Sequence, residues 1–429
     1  MRIAFYTLGC KVNQYESRAL LEALEKEGFE EADKQADVCI INTCTVTAES
    51  DRKARQTVRR AIRENPRAYI LVTGCASQID PECFLAIKGV HFVNGNRDKK
   101  ALIAHILRYR DTGIKTEGKE ILDLEEREYE SLCVSGSERT RAYMKIEDGC
   151  ESKCAYCIIP RARGKIVSRP LEDCLEEARR LVKAGYKEIV LTGIEVSAYG
   201  EDLEHADLAL LLEKMEEIEG LCRIRLSSID PSYLRPAFTD RIARLSKVAP
   251  HFHLSLQSCC DDTLRRMRRR YNTEILTRNL GYLQQRMPAV RFTADVIVGF
   301  PGETEEEFER TRAFLKTLPL LHTHVFAYSP RPDTEAASMP LQVDEQTKKS
   351  RSARLIAHCE DIRDGLLKKE EGQSYPVLFE QYKKGVAYGH TPNFIEVAVK
   401  SDKPLDDEIC LCRLSGSEGG VVFGERTDL

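Results

Sequence analysis

The stretch Cys150-Glu151-Ser152-Lys153-Cys154-Ala155-Tyr156-Cys157 sets three thiols at Cys-x3-Cys-x2-Cys spacing, directly after the apolar run 142–146. That run reads as the first of six strands, the others at 189–192, 224–227, 253–256, 293–298 and 324–327. Helical patterns at 171–184, 208–218 and 305–317 lie between them. Alternating strands and helices build a parallel sheet, and six such units suit a partial (βα)6 TIM-like barrel better than a closed eight-unit one. The thiols then sit at the carboxyl end of a barrel strand, where barrel enzymes keep their sites. Three thiolates on a tight loop can hold three irons of a cubane cluster and leave the fourth open. Zinc is the plainer alternative. A structural zinc site needs four ligands, and no His lies between His105 and His205 to complete one locally. Along 251–257, Phe252, Leu254 and Leu256 alternate with His253, Ser255 and Gln257, so the lumen is expected to be polar.

Upstream, apolar runs at 3–9, 38–43 and 69–74 alternate with helical stretches at 16–27 and 48–63, which implies an open parallel α/β sheet. Cys10, Cys44 and Cys75 each follow one of these strands. Parallel strands bring their carboxyl ends to one edge, where such sheets bind ligands. Three cysteines so placed can converge on a second cluster; the alternative is three buried cysteines. The stretch 117–130 carries seven acids against two bases and reads as an exposed linker. Downstream, a helical stretch at 344–370 precedes short strands with turn signals at Lys384-Gly385 and Gly419-Gly420, the pattern of a small antiparallel β-barrel. The expected domains are 1–135, 136–370 and 371–429.

The 429 residues exceed one simple core. No run of 18 apolar residues exists, and the N-terminus reads as a strand rather than a signal peptide, so a cytoplasmic protein with no membrane partner is expected. A net charge of −4 excludes a global basic field; neither DNA nor a broad RNA surface is expected, and any RNA contact must be local. Sixteen cysteines without an export signal point to metal or redox chemistry for some of them, with the others buried as small apolar residues.

On these residues the chain resembles the methylthiotransferases of the radical S-adenosylmethionine superfamily over essentially its whole length. Cys150, Cys154 and Cys157, with Tyr156 before the last, match the superfamily's cluster motif, and Cys10, Cys44 and Cys75 match the family's second cluster. Further matches are Arg161-Ala162-Arg163-Gly164 with Ser168-Arg169, the stretch 295–304, and Tyr328-Ser329-Pro330-Arg331. The last piece resembles a TRAM domain, an RNA-binding β-barrel. Thr7-Leu8-Gly9-Cys10-Lys11-Val12-Asn13 resembles the bacterial branch acting on N6-threonylcarbamoyladenosine at tRNA position 37. The isopentenyladenosine branch and the branch acting on a ribosomal-protein aspartate read differently here and are the alternatives. A non-enzymatic RNA-binding protein with structural clusters or zinc is a more distant one.

The resemblance implies two [4Fe-4S] clusters and two S-adenosylmethionine molecules. The Cys150/Cys154/Cys157 cluster chelates and reduces one, giving a radical that takes hydrogen from adenine C2. The Cys10/Cys44/Cys75 cluster presents sulfur, and the second S-adenosylmethionine methylates it. Tyr156, Gly193, Glu195, Ser228, Gln257 and Arg169 are the expected cofactor contacts. The implied partners are a tRNA anticodon stem-loop and a flavodoxin- or ferredoxin-type electron donor. Arg52, Arg55, Arg59 and Arg63 recur at helical spacing beside Cys44, and 265–270 holds five Arg in six residues; both are candidate RNA patches, with a solvated face as the alternative. Tyr388, His390 and Phe394 are candidate base contacts in the last piece. Two departures affect local geometry. Cys259-Cys260 stands where the family has Gly before the second position, and Asp333 replaces the usual Gly of its loop. Both cysteines are expected to be packed rather than disulfide-bonded, and Asp333 to tolerate a left-handed turn.

Overall fold

The computed structural model of the chain describes residues 1–125, 128–136 and 140–427. Its N-terminal part is a six-stranded sheet, parallel throughout. In order across it lie Glu30–Glu31, Arg2–Thr7, Val38–Thr43, Tyr69–Gly74, Phe92–Asn94 and Gly118–Glu120. Val38–Thr43 and Tyr69–Gly74 are buried at every residue because helices cover both faces, giving two apolar clusters. The first helix spans Lys11–Lys26, starting well before 16, with Cys10 as its N-cap. Its first turn is polar on one side, so hydrophobic periodicity conceals it. The second, Ala48–Glu64, buries Ala54, Val58 and Ala61 as its pattern requires. The acidic stretch 117–130 corrects one expectation. Gly118–Glu120 is an edge strand of this sheet and Tyr129 Oη donates to Lys145 O (2.9 Å), so it is not a free linker; residues 126 and 127 lie outside the described residues.

The central part is a barrel in two parallel sheets. Arg141–Lys145, Glu188–Thr192 and Arg223–Leu226 form the first; Ser228–Ile229, His251–Gln257, Arg291–Val298 and Leu320–Ala327 form the second. The third expected strand is thus split at Ser227, where the chain passes between sheets. Helices cover the outside over one large apolar core. On His251–Gln257 the apolar residues are buried and His253, Ser255 and Gln257 are half-buried, as the alternation requires.

Asp344 caps the long helix Glu345–Lys369, accepting from Thr347 N (2.9 Å). A closed five-stranded barrel follows, Ser374–Lys383 to Val421–Arg426. It is clamped to the central part by Glu188, whose carboxylate binds both Arg225 (2.6 Å) and Arg223 (3.0 Å). These guanidiniums donate to the carbonyls of Pro392, His390 and Pro376. Burial alone would raise Glu188, but Arg225 and Arg223 outweigh it and hold the carboxyl at about 2. No helix among the described residues is long and apolar enough to cross a membrane.

Candidate active site

Gly149 turns the chain out of the barrel with φ +85°, and a Cβ there would lie 2.0 Å from Lys165 O. The loop that follows is pinned by Cys150 N donating to Gly164 O (3.0 Å). Each thiol then receives a donor. Ser152 N points at Cys150 Sγ (3.4 Å), Ile159 N at Cys157 Sγ (3.4 Å) and Arg269 Nη1 at Cys154 Sγ (3.2 Å). Burial pushes Cys150 up to about 11 and Cys157 to about 12, and the nearby Cys154 adds to both shifts. Donors aimed at three crowded sulfurs suit the thiolate ligands of an iron–sulfur cluster, whose irons ionise the thiols and which is tuned by hydrogen bonds to sulfur. Tyr156 packs its ring edge-on to Phe300, at 6.3 Å between centroids, so it shapes the loop's floor.

Beside Cys150 lies a cleft of about 200 Å³ lined by Glu195, Ser197, Asp230 and Arg270. Burial and the facing Asp230 push Glu195 up to about 7. Glu147 is fully buried; its Oε2 accepts from Glu195 N (2.9 Å) and occupies the space a Cβ at Gly193 would need, 2.6 Å away. Carboxylates and a hydroxyl converge beside the cysteine loop, an acceptor-rich set suited to a ligand that carries an ammonium and hydroxyls. Gln257 sits just past a strand irregularity at φ +57°. Ser228 and Gly193 face the lumen. Arg169 corrects the expectation placed on it. Its guanidinium is buried against Glu177 (2.5 Å), Tyr15 Oη (3.4 Å) and Cys133 Sγ (3.4 Å), so it braces the first helix against the barrel and is not brought to the cofactor contacts.

Cys10, Cys44 and Cys75 do meet at one sheet edge. Gly9, at φ +97°, lets the first loop approach the second; a Cβ there would lie 3.0 Å from Cys44 Sγ. Asn13 Nδ2 bridges both loops, donating to Leu8 O (2.8 Å) and Thr43 O (3.0 Å). Gly74 does the same for the third loop at φ +106°, where a Cβ would fall 2.5 Å from Thr43 O. Cys10 is exposed towards the cavity, and burial pushes Cys44 up to about 11, with Cys75 and Cys10 acting on it. Arg163 Nε donates to Cys75 Sγ (3.3 Å), while its other nitrogens reach Asn13 (2.5 Å), Glu16 (2.7 Å) and Asp148 (3.0 Å). Lys145 and Lys99 complete this buried network at Glu16. Burial would neutralise Glu16, but three surrounding cations hold its carboxyl well below the usual range.

Between the sheet edge and the barrel lies a cavity of about 780 Å³. Cys10 and Lys11 wall one side, lumen residues such as Ser227, His253 and Asp295 another, and His390 and Phe394 of the C-terminal barrel a third. Asp295 pairs with His253 Nε2 (3.2 Å). Phe394 is sandwiched between His251 and His390, at 4.4 and 4.6 Å between centroids, so it closes the cavity rather than standing out on a surface.

Other expectations sort as follows. In 265–270, Arg265, Arg266 and Arg268 pair with Asp262, Glu307 and Glu335, and Arg269 serves the cluster loop. That role was missed because a basic run carries no sign of its partners. On the second helix Arg52, Arg59 and Arg63 are exposed and Arg55 half-buried, with Arg52 on Glu49 (2.5 Å). Arg331 of the Tyr-Ser-Pro-Arg loop reaches Thr45 and Asp51 beside Cys44 (both 2.7 Å). Asp333 takes φ +63° and pairs with Arg161 (2.8 Å), so the turn survives the loss of Gly. Cys259 and Cys260 are free and buried. Cys133 and Cys222 are exposed and Cys83 half-buried, contrary to the expectation that all remaining cysteines are buried.

Residues 144–315 match the Radical SAM superfamily, and residues 2–95 match a family described as Uncharacterized protein family UPF0004. Threonylcarbamoyladenosine tRNA methylthiotransferase MtaB of Bacillus subtilis is 41% identical over 95% of this chain and 92% of its own length. The protein of the same name from Thermotoga maritima is 37% identical over 91% and 89%. A tRNA-2-methylthio-N(6)-dimethylallyladenosine synthase of Helicobacter pylori is 32% identical over the whole of both chains. Among solved structures, the radical S-adenosylmethionine methyltransferase TsrM from Kitasatospora setae has a TM-score of 0.58 at 16% identity, over 78% of this chain and 73% of its own, a likeness of fold. Barrel, cysteine loop and superfamily match together define a radical SAM enzyme, with S-adenosylmethionine and a [4Fe-4S] cluster as its cofactors. More narrowly, the chain belongs to the radical SAM tRNA methylthiotransferase family.

Proposed function

We propose that this chain methylthiolates C2 of N6-threonylcarbamoyladenosine at position 37 of tRNA, working on the anticodon stem-loop in the cytoplasm. The observation that carries the reading is the cavity walled jointly by Cys10, the barrel lumen and Phe394. It is large enough for a nucleoside drawn out of an RNA loop. Relatives named for this substrate match nearly the whole chain. Residues 1–135 carry the second cysteine trio, 136–370 form the radical SAM core, and 371–429 are the RNA-binding barrel.

Cys150, Cys154 and Cys157 hold the first cluster, and Cys10, Cys44 and Cys75 a second [4Fe-4S] cluster at the cavity wall. With S-adenosylmethionine, these groups supply the one-electron chemistry that the non-acidic C2–H bond requires. Glu195 and the backbone at Gly193 take the methionine ammonium end, and Ser228 and Gln257 lie along the route to the lumen. Tyr156 keeps the cluster loop in place. Arg269 and Arg163 each donate one charge-assisted hydrogen bond to a sulfur, fixing where it sits. A flavodoxin or ferredoxin provides the electrons.

The test is Cys44→Ala, reconstituted without oxygen. S-adenosylmethionine cleavage is expected to continue while thiolation of tRNA stops; full thiolation by this variant contradicts the second cluster. Nucleoside mass spectrometry of tRNA from cells with and without the gene tests the substrate. Loss of the 2-methylthio form of threonylcarbamoyladenosine is expected, and loss confined to the isopentenyl form reassigns it.

A further inference from the structure

The lining of the 780 Å³ cavity gathers several cations, with Asp295 and Glu396 as its acids. Lys11, half-buried and next to Cys10, lines it with Arg141 and Arg225. Arg141 is matched by Glu380 (2.8 Å), which also binds His390 Nδ1 (2.7 Å). Arg225 shares the single carboxylate of Glu188 with Arg223, so one positive charge there is left over. Lys11 forms no ion pair among the described residues. Asp295 acts on it from within the same cavity, but is already engaged by His253 (3.2 Å). Two further groups on this wall lack partners. Ser227 Oγ and His251 Nδ1 are buried without a hydrogen bond, in residues 4% and 3% exposed. Unpaired cations and unpartnered polar atoms in a confined cavity carry a desolvation penalty unless a ligand completes them.

The completing ligand must be anionic and small. A neutral alkyl substituent would leave every one of these groups unpaired, and sites built to bond a polar group reject analogues lacking it strongly. We propose that Lys11, backed by Arg141 and Arg225, receives the terminal carboxylate of the substituent on the target base. This pairing then selects a carboxylated adenosine over one bearing a neutral alkyl group. The inference rests on the threonylcarbamoyl reading above and adds the residues that impose it. Lys11 directly follows a cysteine of the second trio, so the same turn that places the sulfur donor also checks the substituent.

The test measures binding of the anaerobic holoenzyme to anticodon-stem-loop hairpins carrying N6-threonylcarbamoyladenosine, its methyl ester, or plain adenosine. Wild type is expected to bind the acid about tenfold tighter than the ester, the size of one charge-assisted contact. Lys11→Gln is expected to close that gap by weakening the acid alone, and Lys11→Arg to keep it. Iron content reports whether Lys11→Gln disturbs its neighbour Cys10. If it does, Arg141→Gln must narrow the gap in its place. Equal binding of acid and ester by wild type overturns the inference. So does equal weakening of all three hairpins by Lys11→Gln, which marks a phosphate contact. Product analysis separates the two levels. Thiolation of the acid hairpin without discrimination against the ester sinks the receptor alone. Thiolation only of a dimethylallyl hairpin sinks the substrate reading and the receptor with it.

Discussion

Arg163 spends one guanidinium on four partners: a thiol, an amide and two carboxylates. Its side chain is 0% exposed, so none of these contacts can be replaced by water. Replacement by Leu leaves Glu16 and Asp148 short of a cation in the interior. Denaturant unfolding of Arg163→Leu is expected to show a loss of about 3–5 kcal/mol, as when one partner of a buried pair is removed. The glycines beside the cysteines are as exacting for steric reasons. Gly74→Ala combines φ +106° with a Cβ 2.5 Å from Thr43 O. It is expected to destabilise the chain by more than about 1 kcal/mol and, if the proposed second cluster forms there, to lower the iron content of the reconstituted protein, read by iron analysis.

At the scale of elements, the strand Glu188–Thr192 joins barrel to barrel through its first residue. Glu188 sits at about 2, below its ordinary 4.5, so its contribution is whole above pH 4.5 and is lost as pH falls towards 2. That contribution is on the order of 3 kcal/mol. Unfolding measured against pH is expected to steepen across that interval in wild type and to lose the steepening in Glu188→Gln, which is also less stable at neutral pH. Elements with strong patterns are legible in the amino-acid sequence alone. The six barrel strands, the helix after Cys44 and the polar alternation of His251–Gln257 all follow from period and burial. The strand Gly118–Glu120 is not legible there, being three residues long, charged and at an edge. Arg269 is not legible for another reason. Its partners, Cys154 and Asp230, are 115 and 39 residues away, and a run of arginines looks the same whether it faces RNA or a buried sulfur.

Across the whole molecule, convergence at the cavity is only partly visible in the sequence. Parallel-strand geometry is enough to bring Cys10, Cys44 and Cys75 together, because equivalent strand ends must share an edge. It cannot show that His390 and Phe394 turn inward, since their facing depends on the Glu188 clamp. Phe394→Ala removes a ring stacked between two histidines and beside Arg225 (4.8 Å to the centroid). Weaker binding of a hairpin substrate is expected with little change in S-adenosylmethionine cleavage, because the ring lines the large cavity and not the cleft beside Cys150. Equal losses in both assays would instead mean that the two sites open and close as one.

The same three-sided wall bears on how the enzyme is made. Cys10 precedes Phe394 and Gly420 in the chain and so leaves the ribosome before them. Domains fold in the order in which they are synthesised. The sheet edge and its thiols are therefore complete before the wall that encloses them, and a nascent chain exposes them on an open side. Folding of the closed five-stranded barrel then shuts the compartment.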